Sequence, residues 1–428
     1  MFGGAGIRKQ MRAYSTGVVR TFAALSVPAY RRFWYAQAFS LIGSWLQSSA
    51  MAWLVVSVLY PNNAGEATAK LGILSAIQWT PSLVLSLVAG ALLDRVSRRV
   101  ALLMTQTMLM LVAIGLGVIV TLKIYDFNVV LALAFCAGLA NVFDIVARQS
   151  LVPNLVPRAL MPNAIALNSL AFNLSRILGG TIFGIIAPLG LGIVFFLNAA
   201  SFLGVLYAIW SIRVPDPEPH STNMLEDVRI GLQYVWQTAS VRAPILLLLF
   251  LSLFIINFQV TTPTFARFAL GLSESGFGWL NAGFGVGAAA GAAFHASRPA
   301  NDKTVLMRWG SLLLVVSVAL LAITTTLPLA CVALALCGVG LIFFTVSANS
   351  SVQLATPDHL RARVMSVYAL VFAGMAPPGA LLTGWLMATL GPRYGLLVLA
   401  GAGLLSVIAL APQLKSPPEL KIVPSSQS

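Results

Sequence analysis

Charged residues are scarce in this chain of 428 residues: Asp, Glu, Lys and Arg make up 9% of it, and only 12 residues are acidic. A soluble domain carries roughly 25% charged residues. With 58% hydrophobic residues and a mean hydropathy of +0.89, the composition excludes a soluble globular protein and indicates one that lies in a lipid bilayer. The net charge of +14 does not indicate nucleic acid as a partner, because that interpretation requires a basic face on a soluble module.

Residues that bind metals or form disulfides are also rare. The three cysteines, Cys136, Cys331 and Cys337, lie inside apolar segments, where cysteine packs as a small hydrophobic residue. The three histidines fall in or beside polar loops, and no spacing is typical of a metal site or a disulfide framework. The glycines of 283–287 lie within an apolar segment, which indicates close helix packing rather than a phosphate-binding loop. We therefore expect no metal, no cofactor and no enzymatic reaction.

Long apolar segments are abundant. A helix needs about 20 residues to cross a hydrocarbon core of about 30 Å, and twelve segments are long enough. They are 33–59, 71–93, 100–122, 129–147, 164–187, 191–210, 243–263, 276–296, 305–326, 329–348, 364–387 and 394–412. The sequence therefore predicts an all-α integral membrane protein with twelve transmembrane helices.

The basic residues indicate which loops are cytoplasmic. Of the 26 Lys and Arg residues, 21 fall in or at the edge of the N-terminal segment, alternate loops and the C-terminal tail. The opposite loops contain only Lys70, Lys123, Arg267 and Arg393, and Arg176 lies inside a predicted span. Because Lys and Arg are enriched on the cytoplasmic side of membrane proteins, both termini are predicted to be cytoplasmic.

A polar segment divides the predicted spans into two groups of six. We expect a cytoplasmic N-terminal segment (1–32), an N-terminal six-helix bundle (33–210), a cytoplasmic linker (211–242), a C-terminal six-helix bundle (243–412) and a cytoplasmic tail (413–428). Within the linker, apolar residues recur at helical spacing over 224–238. This spacing predicts a short amphipathic helix on the cytoplasmic surface.

The two predicted bundles share a weak internal repeat. Residues 150–184 match residues 350–384 at eight of 35 positions. The matches include residues that shape the backbone, namely Pro157 and Pro357, Gly179 and Gly379, and Gly184 and Gly384. Duplicated halves that rock around a central site are typical of secondary transporters. The repeat therefore predicts a transporter, and Pro377-Pro378-Gly379 in the second copy predicts a kink.

The loop between the second and third spans reads Gly90-Ala-Leu-Leu-Asp94-Arg95-Val-Ser-Arg98-Arg99. It resembles the G-x-x-x-D-R-x-G-R-R motif of the major facilitator superfamily, with Ser97 where the family usually has glycine. The segments 143–157 and 163–169 are similar to the export-type branch, which includes bacterial siderophore exporters. The resemblance implies two pseudo-symmetric six-helix bundles and a cytoplasmic conformational latch made by Asp94, Arg95, Arg98 and Arg99. The alternative is a solvated basic turn that only follows the topology rule.

Asp144 is the acidic residue that falls clearly within a predicted span, where a charge is costly and is usually paired or functional. Arg148 follows four residues later, so the two side chains can pair on one helix face. Three interpretations remain open. In the first, Asp144 forms an ion pair that opens and closes with the transport cycle and lies within reach of Arg95, Arg98 or Arg99. In the second, it couples transport to protons. In the third, it belongs to a static buried pair.

Arg176 lies in the middle of the fifth predicted span and needs a partner on another helix. It either binds an anionic group of the substrate, opposes Asp144, or bonds to backbone carbonyls and water as a structural residue. The glycines that follow, Gly179, Gly180 and Gly184, resemble the antiporter motif of the superfamily, with Gly-Gly in place of its usual Gly-Pro.

Polar side chains recur every three or four residues along the first predicted span, at Gln37, Ser40, Ser44 and Gln47, next to Trp45. Such aligned polar groups face protein or water rather than lipid. They form either hydrogen bonds between closely packed helices or the wall of a substrate cavity. The other residues assigned to that wall are Gln78, Asn257 and Gln259.

Together these patterns predict a secondary transporter of the cytoplasmic (inner) membrane that exports an amphiphilic small molecule by alternating access, with protons as the coupling ion. We expect a monomer that contacts membrane lipids. A facilitator or importer on the same fold is one alternative. A scaffold or sensor that has lost transport is another.

Overall fold

The computed structural model describes residues 22–93, 96–212, 224–298 and 303–414. All regular structure in these ranges is helical. In chain order the helices are α1 (Pro28–Leu54), α2 (Ala64–Leu93), α3 (Arg98–Thr121), α4 (Phe127–Leu155), α5 (Met161–Ile186), α6 (Leu191–Ser211), α7 (Met224–Gln237), α8 (Ala239–Phe254), α9 (Phe258–Thr264), α10 (Glu274–Ala296), α11 (Lys303–Ile323), α12 (Leu327–Leu354), α13 (Asp358–Gly374) and α14 (Ala376–Leu410). Nine segments of the described residues are long and apolar enough to cross a membrane. The count of twelve and the cytoplasmic termini stay predictions.

Each of the first six predicted spans corresponds to one helix, except that a π-helical turn over Val55–Leu59 ends the first. Several helices extend beyond their apolar segment. α1 begins at Pro28, before the predicted start at 33, and α4 continues to Leu155, beyond the predicted end at 147. Hydropathy indicates where a segment can lie in lipid, whereas a helix continues as long as its backbone hydrogen bonds do. Proline at the first helical position suits α1, because the N–H that it lacks would have no partner there.

Side-chain caps mark the beginnings of two helices. Before α2, Asn63 Oδ1 accepts a hydrogen bond from the backbone N–H of Glu66 at 3.0 Å. The Asn63 amide donates to the Glu66 carboxylate at 3.3 Å. Before α4, Asp126 Oδ1 accepts from the backbone N–H of Asn128 at 2.8 Å. These acceptors satisfy N–H groups that have no partner within the helix.

The seventh predicted span, expected over 243–263, is not one continuous helix. α8 ends at Phe254, α9 begins at Phe258, and a π-helical turn follows over Phe265–Ala269. In the break, the Asn257 amide donates to the backbone carbonyls of Ser252 at 3.1 Å and Leu253 at 3.0 Å. Carbonyls at a helix C-terminus lack intrahelical partners, and in an apolar segment an unpaired carbonyl is costly. By donating to two of them, the Asn257 side chain makes the break possible.

The eleventh predicted span is interrupted where the sequence predicts a kink. α13 ends at Gly374 and α14 begins at Ala376, directly before Pro377 and Pro378. Within α14, Gly391 has φ +83°, a left-handed conformation that glycine adopts at little cost. This residue separates the second part of the eleventh predicted span from the twelfth, and α14 otherwise runs through both.

Contacts divide the chain into two compact units. One comprises Met1–Ala50, Val88–Ile124 and Cys136–His220, and the other comprises Met51–Leu87, Tyr125–Phe135 and Ser221–Ser428. Three of the boundaries fall inside α1, α2 and α4, one falls between α3 and α4, and one, between His220 and Ser221, falls in the predicted linker. The division into five segments that we expect from the sequence therefore stays a prediction.

In the first unit, α1 packs along α5 through side chains with polar tips. The Tyr30 hydroxyl donates to the carbonyl of Ala164 at 2.9 Å, and the Trp34 indole donates to the carbonyl of Leu167 at 3.0 Å. Tyr30 is fully buried in a core that also contains Phe33. Each buried aromatic ring thus contributes apolar area while its polar atom finds an acceptor.

In the second unit, glycines bring α10 and α12 into close contact. A Cβ atom added to Gly283 would lie 2.7 Å from the carbonyl oxygen of Cys331, and one added to Gly287 would overlap the backbone of Ala335. The glycines of 283–287 are therefore close-packing positions inside a helix.

Candidate functional site

A carboxylate is buried in the first unit: Asp144 on α4 is 4% exposed. Its Oδ1 accepts hydrogen bonds from two neighbouring residues of α3, Thr105 Oγ1 at 3.1 Å and Gln106 Nε2 at 2.6 Å. Its Oδ2 accepts from Nε of Arg148 at 3.1 Å and also pairs with Nη2 of the same guanidinium. Each carboxylate oxygen is thus held by a different helix.

The burial of the ion pair determines how strongly its two charges interact. The side chains of Arg148 and Asp144 are 13% and 6% exposed, so water screens the pair weakly. Removing one member of a buried ion pair typically costs about 3–5 kcal/mol, because the remaining charge stays buried without a partner. The predicted pairing of these two residues along one helix is present, and α3 supplies two further donors.

The predicted latch is only partly visible. Asp94 and Arg95 lie outside the described residues. Arg98 is the first residue of α3, and Arg99 donates from Nη2 to the backbone carbonyl of Trp210, near the end of α6. In this conformation Arg99 therefore attaches α3 to α6. The latch role of the four loop residues stays a prediction.

The predicted polar face of α1 is buried against protein. Gln37, Ser40 and Gln47 are 5%, 3% and 7% exposed, and Ser44 Oγ donates to the carbonyl of Ser40 at 2.9 Å. Gln47 Oε1 accepts a hydrogen bond of 2.8 Å from Nδ2 of Asn198 on α6. For Gln47, this geometry favours the alternative of interhelical hydrogen bonding.

Asn198 is a residue that sequence reasoning missed. It is fully buried, and its Oδ1 accepts from Ser201 Oγ at 3.2 Å. Gly43 faces it so closely that a Cβ atom on Gly43 would overlap Oδ1 of Asn198. An isolated asparagine inside the apolar span 191–210 was the available signal, since a polar group at membrane depth needs a partner.

The remaining predicted cavity residues are distributed over both units. In the first unit, Trp45 contacts Phe172 edge to face at 5.8 Å between ring centroids, and Arg176 lies half-buried in α5. In the second unit, Gln78 on α2 and Gln259 on α9 are half-buried, and Asn257 is 7% exposed and caps α8. Their role as a cavity wall stays a prediction.

A contact between α1 and α10 in the second unit was also missed. The Trp53 indole N–H donates to Glu274 Oε1 at 2.9 Å, and the Trp53 ring stacks on Phe277 at 5.3 Å between centroids. Nearby in the sequence, α2 approaches α14, because a Cβ atom on Gly72 would lie 2.8 Å from the carbonyl oxygen of Ala380. Helices of the first six predicted spans thus bond directly to helices of the last six.

Within the described ranges, no group of three or more His, Cys, Asp or Glu side chains is arranged to hold a metal ion.

The chain is similar to known proteins over most of its length. Residues 19–426 match the family model described as transmembrane secretion effector. The multidrug efflux pump Tap of Mycolicibacterium fortuitum is 27% identical over 378 residues, which cover 84% of this chain and 89% of that protein. The multidrug efflux pump Tap of Mycobacterium tuberculosis is 26% identical over 384 residues, covering 86% and 88%.

Solved structures of transporters share the fold. The nucleoside transporter NupG superposes with a TM-score of 0.72 at 10% identity, covering 90% of this chain and 99% of that one. A D-xylose–proton symporter superposes with a TM-score of 0.70 at 13% identity, covering 91% and 98%. At such low identities the likeness concerns the fold alone.

Proposed function

The chain belongs to the transmembrane secretion effector family of the major facilitator superfamily, and from this premise we propose that it exports an amphiphilic small molecule across the cytoplasmic membrane in exchange for protons. As a multi-pass membrane transporter it takes a small-molecule substrate. Beyond membership of this family, we propose three properties: the direction of transport is export, transport is coupled to protons, and the protein is a monomer.

The direction of transport is supported by the relatives. Two that match along most of their length are named multidrug efflux pumps. The sequence supports a broad substrate class, because the polar groups assigned to the cavity wall are almost all uncharged and stand beside aromatic rings such as Trp45. Such a surface suits a molecule with both polar and apolar parts.

The observation that carries proton coupling is the environment of Asp144. If its carboxylate takes up a proton, Arg148 loses its ionic partner while it remains buried, at a cost of about 3–5 kcal/mol for an unpaired buried charge. A conformation in which Arg148 finds another partner or water would then be favoured. For comparison, one proton crossing 100 mV releases about 2.3 kcal/mol, so the two energies are of similar size.

Alternating access is supported by the contacts in the second unit. Glu274 begins α10 and Trp53 lies near the end of α1, and the predicted topology assigns both ends to the outside. Gly72 and Ala380 approach each other in α2 and α14. We propose that these contacts close the outer side and separate when the transporter opens outward.

Reconstituted vesicles test the proposal. A thermal-shift screen of purified protein against lipophilic cations, siderophores and metabolites first identifies a ligand. Tetraphenylphosphonium represents the lipophilic cations. Uptake of the radiolabelled ligand is then measured with a pH gradient imposed and with valinomycin and potassium holding the membrane potential at zero. Accumulation above that of protein-free vesicles is expected only with the gradient.

The variants separate coupling from translocation. Asp144→Asn should lose gradient-driven accumulation and keep exchange of labelled for unlabelled ligand. Asp126→Asn is the matched control, because Asp126 is an exposed acid that caps the same helix and asparagine caps equally well. Gradient-driven transport by Asp144→Asn at the wild-type rate would contradict coupling through this residue. Exchange without any response to the gradient in the wild type would indicate a facilitator, and absence of both binding and exchange would indicate a scaffold.

A further inference from the structure

Helix α7, the amphipathic helix of the linker, uses only part of its apolar surface to contact protein. Val235 is 4% exposed, and the Tyr234 hydroxyl donates to the carbonyl of Ala355 at 3.1 Å, just after α12. Gly231 packs so closely on α13 that a Cβ atom there would lie 2.6 Å from the carbonyl oxygen of Arg363. This face holds α7 against α12 and α13.

A second apolar strip of α7 remains exposed. Leu232 and Trp236 are 45% and 55% exposed, and their spacing of four residues places them on one face of the helix. From the sequence alone, the helical spacing of the apolar residues in α7 predicts a single apolar surface. The structure places Val235 and Tyr234 on the face that packs against α12 and α13 and leaves Leu232 and Trp236 about half exposed.

Chain connectivity indicates what covers the exposed strip. Trp236 is three residues before Ala239, where α8 and a candidate membrane span of 31 residues begin. Arg242 Nη1 donates to the carbonyl of Trp236 at 3.1 Å, so the end of α7 is attached to the first turns of α8. At a rise of about 1.5 Å per residue, Trp236 cannot lie far from the membrane boundary.

We propose that Leu232 and Trp236 insert into the boundary between lipid headgroups and acyl chains, and that α7 thereby attaches α13 to the membrane surface. Tryptophan is enriched at this depth because its ring is apolar and its N–H is polar. The inference goes beyond transport itself, since it assigns a lipid-binding surface outside the substrate path.

The charges of α7 specify the kind of contact. Arg229 is the one basic residue in the sequence 224–237, and it forms an exposed ion pair with Glu226 at 3.7 Å. Little positive charge therefore remains on α7 to attract anionic lipid. Insertion should depend on the apolar strip and be indifferent to anionic lipid and to salt, unlike binding by a polybasic segment.

Tryptophan quenching in bilayers tests this proposal on the full-length protein. The protein is reconstituted in phosphatidylcholine carrying bromine either near the headgroup or near the chain end. The emission of Trp236 is the difference between wild type and Trp236→Phe. We expect it to lose most of its intensity with the shallow bromine and less with the deep bromine, with no change when salt is raised or phosphatidylglycerol is added.

Trp53 provides the control, because it is 1% exposed inside the protein. The emission lost in Trp53→Phe should be insensitive to bromine at either depth. Leu232→Asn should weaken the quenching of Trp236 while the thermal unfolding temperature stays near that of the wild type. Trp236 emission that resists both bromolipids and responds to iodide in the water would overturn the proposal and indicate a surface open to solvent or to a soluble partner. Quenching that appears only with phosphatidylglycerol would overturn the apolar mode of insertion.

Discussion

The indole N–H of Trp53 on α1 donates a hydrogen bond of 2.9 Å to the carboxylate of Glu274 at the start of α10. Trp53 is 1% exposed, and its ring is stacked on Phe277 at an interplanar angle of 12°. A single side chain of the first predicted half thus makes both a polar and an aromatic contact with the second half. This geometry allows the polar contribution to be measured separately.

Trp53→Phe should keep the stacking and remove the hydrogen bond. A hydrogen bond to a charged group contributes roughly 1.5–3 kcal/mol, and the half-buried position of Glu274 favours the lower end. The free energy of unfolding, measured by denaturant titration, should fall accordingly. Trp279→Phe on α10 is the control, because Trp279 is 63% exposed. If Trp53→Phe and Glu274→Ala have purely additive effects in the double variant, the two side chains do not interact.

Gln106→Leu should destabilise the surroundings of Asp144. The substitution preserves volume and removes the 2.6 Å hydrogen bond to the carboxylate, which we expect to cost roughly 1.5–3 kcal/mol in the free energy of unfolding. In an Asp144→Asn background the same substitution should cost clearly less, because the acceptor is no longer charged. An equal cost in both backgrounds would show that Gln106 acts through packing alone.

The Asp144 site shows how far the sequence could predict function. The pair with Arg148 follows from a spacing of four residues on one helix, and it is present. Thr105 and Gln106 are on another helix, and their approach depends on how α3 packs against α4. No local pattern encodes that packing. Glu274 was missed for the same reason, since its partner Trp53 is 221 residues away.

Of the two helix breaks, the sequence predicted one and missed the other. Pro377 and Pro378 signalled the break between α13 and α14 because proline cannot continue the hydrogen bonds of a helix. The break after Phe254 had no such signal, as residues 243–263 form a continuous apolar segment. It depends on Asn257, whose amide satisfies the carbonyls of Ser252 and Leu253. Hydropathy finds a membrane segment without specifying whether its backbone is regular.

Gly72→Ala should loosen the packing of α2 on α14. The added Cβ would lie 2.8 Å from the carbonyl oxygen of Ala380 and 3.0 Å from Cα of Gly384, and both are backbone atoms that cannot rotate away. Overpacking of this kind costs typically about 1–3 kcal/mol. Gly204→Ala on α6 is the matched control, because its Cβ would meet nothing within 4 Å. It should leave the thermal unfolding temperature unchanged or raise it slightly through better helix propensity. Equal temperatures for both variants would contradict the close approach.

Arg393→Lys should destabilise the second unit although the charge is kept. Arg393 Nη1 donates to the carbonyls of Ala322 at 2.8 Å and Thr324 at 2.6 Å, and Nη2 donates to the carbonyl of Ala269 at 3.3 Å. These carbonyls lie at the end of α11 and at the end of the π-helical turn, where the backbone lacks helical partners.

Lysine carries one compact ammonium group and cannot reproduce the planar fork of the guanidinium, so at least one of these carbonyls should lose its donor. We expect a loss of about 1–3 kcal/mol in the free energy of unfolding. Arg267→Lys is the control, since it makes the same chemical change in the π-helical turn on the predicted outer side. A lower unfolding temperature for Arg393→Lys alone would show that the arginine holds the break at Gly391 against the ends of α11 and the seventh predicted span. The same temperature for both variants would mean that positive charge, rather than the fork of hydrogen bonds, is what this position requires.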